Sequence, residues 1–203
     1  MVPMISSALK PLVTRLIEPV ARFALRIGLT PNAITILGAV GVVASAGFFY
    51  TDENYFVGTL FISFFALSDL FDGTMARISQ KGASKWGGFL DSTIDRITDS
   101  AITIALLVPL IQADDRLSYL GLITLVTGLL IPYIRAKAES YSIACSVGIA
   151  ERTERLIIIL VATGFEGLGV PFALAVGFWL LAILGVITVF QRIHVVRTGL
   201  LAQ

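Results

Sequence analysis

The chain has 203 residues, of which 56% are hydrophobic and 14% charged, and its formal net charge is +1. Soluble domains carry about a quarter charged residues, so this composition and a mean hydropathy of +0.88 exclude an ordinary soluble enzyme and indicate a membrane protein. The balanced charge also argues against a nucleic-acid partner, which usually requires a basic excess.

The first 30 residues predict a helix that lies on the membrane surface. Apolar residues recur at helical spacing from Ile5 to Ile27, with basic residues such as Lys10 and Arg22 between them. Basic amphipathic helices of this kind bind membrane lipid at the interface. A plain anchor without a chemical role is the simpler interpretation of this segment.

Six apolar stretches follow, and a bilayer-spanning helix needs about 20 such residues. They are residues 32–51, 55–79, 86–111, 117–140, 153–169 and 172–195. The boundary between the last two is the weakest, because only glycines and one proline mark it. We therefore expect an all-α membrane protein in which residues 1–30 form the interfacial helix and residues 31–203 form six transmembrane helices.

The distribution of Lys and Arg predicts the orientation of these helices. With six spans both termini lie on one side, and most basic residues fall on that side, whereas the opposite loops contain only Arg116. Cytoplasmic loops carry the excess of Lys and Arg. We therefore expect a multi-pass protein of the cell membrane with both termini and the segments 77–86 and 135–155 in the cytoplasm.

Acidic residues near the cytoplasmic ends of two predicted helices indicate a metal-binding site. Asp69 and Asp72 are three positions apart on the second helix, and Asp91 and Asp95 are four apart on the third. Each pair shares a helix face, and a short loop joins the helices, so the four carboxylates can converge. Such acids are costly at membrane depth unless cations neutralise them, and two nearby arginines are too few. All-oxygen ligands suit Mg²⁺, Mn²⁺ or Ca²⁺ rather than zinc.

Small residues interleave with these acids. Gly73 and Ala76 follow the second acid, which lets a flat base or a diphosphate approach the helix backbone. Arg77 can clamp a phosphate oxygen. Helix packing through small residues is the alternative interpretation, and it suits Gly38 and Gly41 better.

The acids and small residues together resemble the signature of the CDP-alcohol phosphatidyltransferases, D-x-x-D-G-x-x-A-R, a short gap, then G-x-x-x-D-x-x-x-D. Every signature position is present in residues 69–95, and residues 30–35 look like the family's entry into its first membrane helix. The resemblance implies one domain over residues 1–203, a homodimer and an active site open to the cytoplasm. It also implies CDP-diacylglycerol as the donor and Mg²⁺, with Mn²⁺ as an alternative, as the cofactor.

The resemblance further implies roles for individual residues. The metal is expected on Asp69, Asp72, Asp91 and Asp95, and Asp95 is also the expected catalytic base, which takes a proton from the attacking alcohol. The residues expected to bind the CDP-lipid are Pro31, Asn32, Ala33, Ile34, Thr35, Gly73, Ala76, Arg77 and Ser84.

A second group, of basic residues at the cytoplasmic helix ends, bears on the acceptor alcohol. The general bias of basic residues toward the cytoplasm is one explanation of this group. An anionic acceptor explains it better, because several cations together can hold a phosphate. The group, called here the cationic set, consists of Arg135, Lys137, Arg152, Arg155 and Arg192.

The cationic set lies in segments that resemble the actinobacterial phosphatidylinositol phosphate synthases, namely residues 133–139, 149–156 and 191–194. That resemblance implies inositol 1-phosphate as the acceptor, with phosphatidylinositol phosphate and CMP as products. Phosphatidylglycerophosphate synthesis is the alternative within the enzyme class. A cation or proton transporter would also place acids within the membrane, but it would not need the cationic set.

Overall fold

The structure is a computed structural model that describes residues 17–79 and 84–202. Within these ranges the chain is helical and contains no strand, which confirms the predicted all-α class. Residues 17–26 form helix α1. The rest of the predicted interfacial helix, residues 1–16, lies outside the described part of the chain.

Seven further helices follow α1 in the described ranges, and most agree with the predicted bounds. The first of them, α2, continues directly into a π-helical turn over Ala46–Tyr50. The helices are α2 (Pro31–Ser45), α3 (Tyr55–Ala66), α4 (Ser68–Ile78), α5 (Lys85–Gln112), α6 (Leu117–Ser140), α7 (Arg152–Gly167) and α8 (Ala173–Leu201).

Local capping explains where several helices begin. The Thr30 hydroxyl accepts the Ala33 N–H at 3.2 Å, and Pro31 occupies the first position of α2, where its missing N–H has no consequence. Ser84 caps α5 in the same way. Asp115 accepts the Leu117 N–H at 2.9 Å at the start of α6. The predicted starts of α2, α5 and α6 lie within one residue of the observed ones.

The predicted helix over 55–79 is interrupted between α3 and α4. Close packing against α2 surrounds the break: a Cβ on Gly38 would lie 1.8 Å from Ser68 Oγ, and a Cβ on Gly41 would lie 2.2 Å from a Phe65 ring carbon. Glycine therefore lets these helices approach closely, which confirms the packing interpretation of this pair. The second segment, α4, begins immediately before the first acidic residue of the motif.

Four candidate membrane spans are present in the described ranges, judged by length and composition. Helix α5 has 28 residues, but acids and an arginine lie along its first half, and α7 has only 16 residues. The structure thus shows a helical membrane protein, while the count of six spans stays a prediction. The four spans are Pro31–Tyr50, Tyr55–Ile78, Leu117–Ser140 and Ala173–Leu201.

The chain divides into two compact units. Among the described residues, the first unit comprises 17–44, 61–79 and 84–98, and the second comprises 45–60 and 99–202. The acidic motif belongs to the first unit, and the cationic set belongs to the second.

A buried polar cluster lies in the second unit. The Tyr50 hydroxyl lies 2.8 Å from the Thr59 hydroxyl and 2.9 Å from that of Thr163, and the two threonine hydroxyls are 3.0 Å apart. Each polar atom is therefore satisfied by another, as a buried hydroxyl in an apolar helix bundle requires.

Candidate active site

Three acidic side chains converge in the first unit. One carboxylate oxygen each from Asp69, Asp72 and Asp91 lies within 4.8 Å of the other two. Asp72 is buried and the other two are half-buried. The convergence follows from the helix-face spacing of the acids on α4 and α5. Three like charges this close repel one another unless a cation lies between them, and their all-oxygen donor set suits a hard divalent ion.

Asp95, the fourth predicted ligand, does not belong to this group of three. It lies one turn after Asp91 on α5, and its Oδ2 accepts a hydrogen bond from Arg96 Nη1 at 3.2 Å. The structure thus brings three of the four predicted ligands together. The roles of Asp95 as a ligand and as the base stay predictions.

Thr35 on α2 orients the most buried acid of the group. Its hydroxyl donates to the Asp72 carboxylate and also lies 3.1 Å from the Pro31 carbonyl oxygen. Thr35 is itself buried. The sequence predicted Thr35 as a CDP-lipid residue, but it gave no sign of this contact, which joins positions 37 residues apart.

The helix surface beside the acids is open at Gly73. A Cβ there would meet no described atom within 4 Å, so packing does not require glycine at this position. Arg77 lies along the same helix: its Nε donates to the Gly73 carbonyl at 3.0 Å, and its Nη2 lies 3.4 Å from Thr74 Oγ1. A cationic side chain and an accessible backbone therefore lie within one turn of Asp72.

The start of α5 adds polar groups to the first unit. Ser84 Oγ accepts the Gly87 N–H at 2.9 Å. A Cβ on Gly87 would lie 3.1 Å from Ser84 Oγ and 3.3 Å from Asn32 Oδ1, so glycine lets these side chains lie against the helix. The other predicted CDP-lipid residues are half-buried on α2 and α4: Pro31, Ala33, Ile34 and Ala76.

In the second unit, two members of the cationic set share one carboxylate. Arg152 Nε lies 3.4 Å from Asp99 Oδ1, and Arg155 Nη2 lies 3.4 Å from Asp99 Oδ2. Arg155 Nη1 also donates to the Ala150 carbonyl at 3.1 Å. These ion pairs join α5 to α7 across 53 and 56 residues of chain, and the sequence offered no signal for them.

Arg192 is the most buried member of the cationic set, at 3% exposure. Its Nε donates to the Val147 carbonyl at 2.9 Å, and its Nη1 donates to the Ile131 carbonyl at 2.6 Å. It therefore ties α8 to α6 and to the segment before α7.

The two remaining cations contact neighbours at the end of α6. Arg135 Nε lies 2.9 Å from Glu139 Oε1, with both side chains about half exposed at 51% and 57%. Lys137 Nζ lies 4.8 Å from the centroid of the Tyr141 ring, which is a cation–π contact. Neither contact buries its cation.

A family profile described as CDP-alcohol phosphatidyltransferase matches residues 28–193, which include the acids, the residue 30–35 segment and the cationic set. The chain belongs to the CDP-alcohol phosphatidyltransferase family. Membership confirms the family prediction, makes the chain an enzyme of phospholipid synthesis, and decides against the transporter alternative.

Relatives in the CDP-alcohol phosphatidyltransferase family are similar over most of the chain. A phosphatidylinositol phosphate synthase of Streptomyces avermitilis is 40% identical over 194 residues, covering 91% of this chain and 79% of that protein. A protein of the same name from Mycobacterium bovis is 43% identical over 190 residues, covering 91% and 87%.

Solved structures of one relative have the same fold. The crystal structure of Mycobacterium tuberculosis phosphatidylinositol phosphate synthase with CDP-DAG bound matches with a TM-score of 0.85 at 43% identity, covering 90% of this chain and 94% of that one. The same enzyme in complex with manganese and citrate matches with a TM-score of 0.84 at 42% identity, covering 90% and 89%.

Proposed function

We infer that this chain transfers the phosphatidyl group of CDP-diacylglycerol to myo-inositol 1-phosphate, giving phosphatidylinositol phosphate and CMP. The observation that carries this proposal is the cluster of Asp69, Asp72 and Asp91 within the family motif. Relatives named for this activity are 40% and 43% identical over 91% of the chain, which supports the choice of acceptor. The CDP-DAG bound to the M. tuberculosis enzyme supports the choice of donor.

Mg²⁺ is the proposed cofactor, with Mn²⁺ as the alternative. Three aspartate oxygens within 4.8 Å of one another form a donor set that hard cations accept. The complex of the M. tuberculosis enzyme with manganese and citrate supports a divalent ion. Asp69, Asp72 and Asp91 hold the ion in this proposal, and Asp95 is a fourth ligand. When bound, a divalent ion withdraws charge from the phosphates of the CDP-lipid.

The donor side of the site is proposed at the facing parts of α2, α4 and the start of α5. The open backbone at Gly73 admits the nucleotide or its diphosphate, and Arg77 exchanges its contacts with its own helix for a phosphate oxygen. Asn32 and Ser84 offer polar groups next to them. The acceptor hydroxyl forms a bond to the phosphorus that carries diacylglycerol, the bond from that phosphorus to CMP breaks, and Asp95 takes the proton.

The acceptor side is proposed at the cationic set. Arg135, Lys137 and Arg155 supply cations near the end of α6 and the start of α7, and several cations together favour a bound anion. The phosphate of inositol phosphate supplies that anion. Arg192 contributes mainly by fixing the segment before α7, because two of its donors are already engaged by carbonyl groups.

The proposed membrane arrangement has six spans and both termini in the cytoplasm. Helix α5, at 28 residues, is about 42 Å long at 1.5 Å per residue, which is enough to cross a hydrocarbon core of about 30 Å with the acids of its first half near the cytoplasmic interface. Helix α7, at 16 residues, is slightly short, a mismatch that local bilayer thinning accommodates. A homodimer, as the family resemblance implies, completes the proposal.

An acceptor panel tests the proposed function. Purified protein receives labelled CDP-diacylglycerol with Mg²⁺ and one of inositol 1-phosphate, free inositol or glycerol 3-phosphate, and the lipid products are separated. Only inositol 1-phosphate is expected to yield product. Equal rates with free inositol would refute a phosphate-binding acceptor site, and transfer to glycerol phosphate alone would identify phosphatidylglycerophosphate synthesis instead.

A matched pair of variants separates chemistry from folding. Asp69→Asn should abolish transfer, whereas Asp114→Asn, in the exposed turn between α5 and α6, should not change it. Asp114 has a φ of 52°, a conformation that Asn tolerates as well as Asp does. Loss of activity in both variants would show that the assay reports general damage.

A further inference from the structure

Asp99 lies outside the acidic motif, and it has no role in the reaction proposed for this chain. Its carboxylate nevertheless bridges Arg152 and Arg155, with one oxygen directed to each guanidinium at 3.4 Å. The three side chains are 26%, 26% and 11% exposed, so the bridge lies at the edge of the second unit rather than deep in its core.

Electrostatics gives this bridge a consequence for the two arginines. Two guanidinium groups next to one another repel, and without a counter-charge the more exposed Arg152 would turn toward water. One carboxylate between them offsets the repulsion and sets the direction of both side chains. A guanidinium has five N–H donors in a planar fork, so one arginine side chain can contact Asp99 and a bound phosphate at the same time.

We propose that Asp99 is a positioning residue for the acceptor, holding Arg152 and Arg155 in the arrangement that receives the phosphate. The inference rests on the proposed function, since it assigns both arginines to the acceptor site. Asp99 itself contacts neither substrate and acts through the arginines. Its removal therefore weakens acceptor binding without affecting the CDP-lipid or the metal.

The test compares Asp99→Asn with the wild type and with Glu18→Gln. The control also removes a carboxylate that pairs with an arginine. Glu18 and Arg22 form an exposed ion pair at 2.6 Å on α1, and both are far in sequence from the acceptor residues. Asp99→Asn should raise the KM for inositol 1-phosphate about tenfold, the size of effect that orienting partners of binding groups commonly have. The KM for CDP-diacylglycerol and the Mg²⁺ requirement should stay unchanged, and Glu18→Gln should behave as the wild type.

A double-mutant cycle shows whether Asp99 acts through the arginines. In an Arg152→Ala/Arg155→Ala background, Asp99→Asn should cause no further rise in the acceptor KM, because nothing remains to be positioned. Asp99→Glu, which keeps the charge, should recover part of the lost affinity. A purely structural role would instead lower the melting temperature, raise both KM values and add to the effect of the arginine changes.

A binding measurement keeps this inference separate from the proposed function. Stabilisation of the purified protein by inorganic phosphate gives an apparent Kd without turnover, and Asp99→Asn should raise it about tenfold as well. If the wild type does not use inositol phosphate, but Asp99→Asn still raises the apparent Kd for inorganic phosphate, the proposed function is refuted and this inference stands. Unchanged KM and Kd in Asp99→Asn overturn the inference alone. A lower acceptor KM overturns it too, because Asp99 would then compete with the phosphate.

Discussion

Thr35→Val perturbs the metal site through one hydrogen bond and leaves the side-chain shape nearly unchanged. Thr35 is buried and donates to Asp72, the most buried carboxylate of the cluster. A hydrogen bond to a charged group is worth about 1.5–3 kcal/mol. Since 1.4 kcal/mol corresponds to about a factor of ten, its loss should weaken binding of the divalent ion roughly 10- to 100-fold, as is typical for groups that orient metal ligands.

The assay for Thr35→Val is a Mn²⁺ titration of transfer activity at saturating substrates. Activity should return at high Mn²⁺, because Asp69, Asp72 and Asp91 are all retained. Thr127→Val is the matched control, since Thr127 is also buried but donates to the Ile123 carbonyl of its own helix at 2.8 Å. An unchanged or lower Mn²⁺ requirement in Thr35→Val would show that the hydroxyl does not orient the ligand and would refute this reasoning.

Three further predictions address the acids, the open backbone and the buried arginine. Asp69→Asn should abolish transfer while the protein still inserts and folds. The wild type should lose its activity in excess chelator, and full wild-type activity in chelator would contradict a metal requirement. Gly73→Ala should raise the CDP-lipid KM roughly 5- to 150-fold, because the added methyl group would overlap the bound lipid at a cost of about 1–3 kcal/mol. Gly128→Ala is the control: a Cβ at Gly128 also meets no described atom within 4 Å, and this change should leave the CDP-lipid KM as it is. Arg192→Ala should raise the acceptor KM more than the CDP-lipid KM. It should also lower the melting temperature, since each lost hydrogen bond from the charged guanidinium to the Ile131 or Val147 carbonyl is worth about 1.5–3 kcal/mol. An unchanged melting temperature would contradict the role of Arg192 in tying α8 to α6.

Features of the fold that depend only on residues near one another in sequence could be predicted. Helix α6 was predicted at its observed bounds, 117–140, because the charged residues 114–116 interrupt the apolar sequence immediately before it. The convergence of Asp69, Asp72 and Asp91 followed from helical spacing and one short loop. Both inferences need only the geometry of a helix and its nearest connection.

Contacts between distant parts of the chain could not be predicted in this way. The break before α4 coincides with close packing against Gly38, which no local propensity encodes. The burial of Arg192 depends on carbonyl groups 45 and 61 residues away. The same limit applies to Asp99, whose partners lie on α7. A basic residue near a helix end looks the same in sequence whether it faces water, a substrate or a carbonyl group.

The route of phosphoryl transfer is the last prediction. Acids are the only plausible nucleophiles in the motif, so either an aspartate attacks first and forms a covalent phosphatidyl-enzyme, or the acceptor attacks directly with Asp95 as the base. Asp69, Asp72 and Asp91 converge within 4.8 Å, and carboxylates committed to a cation are poor nucleophiles, whereas a substrate hydroxyl needs only deprotonation. We therefore expect direct attack, with both substrates bound together, sequential kinetics and a single inversion at phosphorus. A CDP-lipid with a chiral thiophosphate reports the configuration. Net retention, or exchange of label between CMP and CDP-lipid without any acceptor, would establish the covalent route and remove Asp95 from its role as the base.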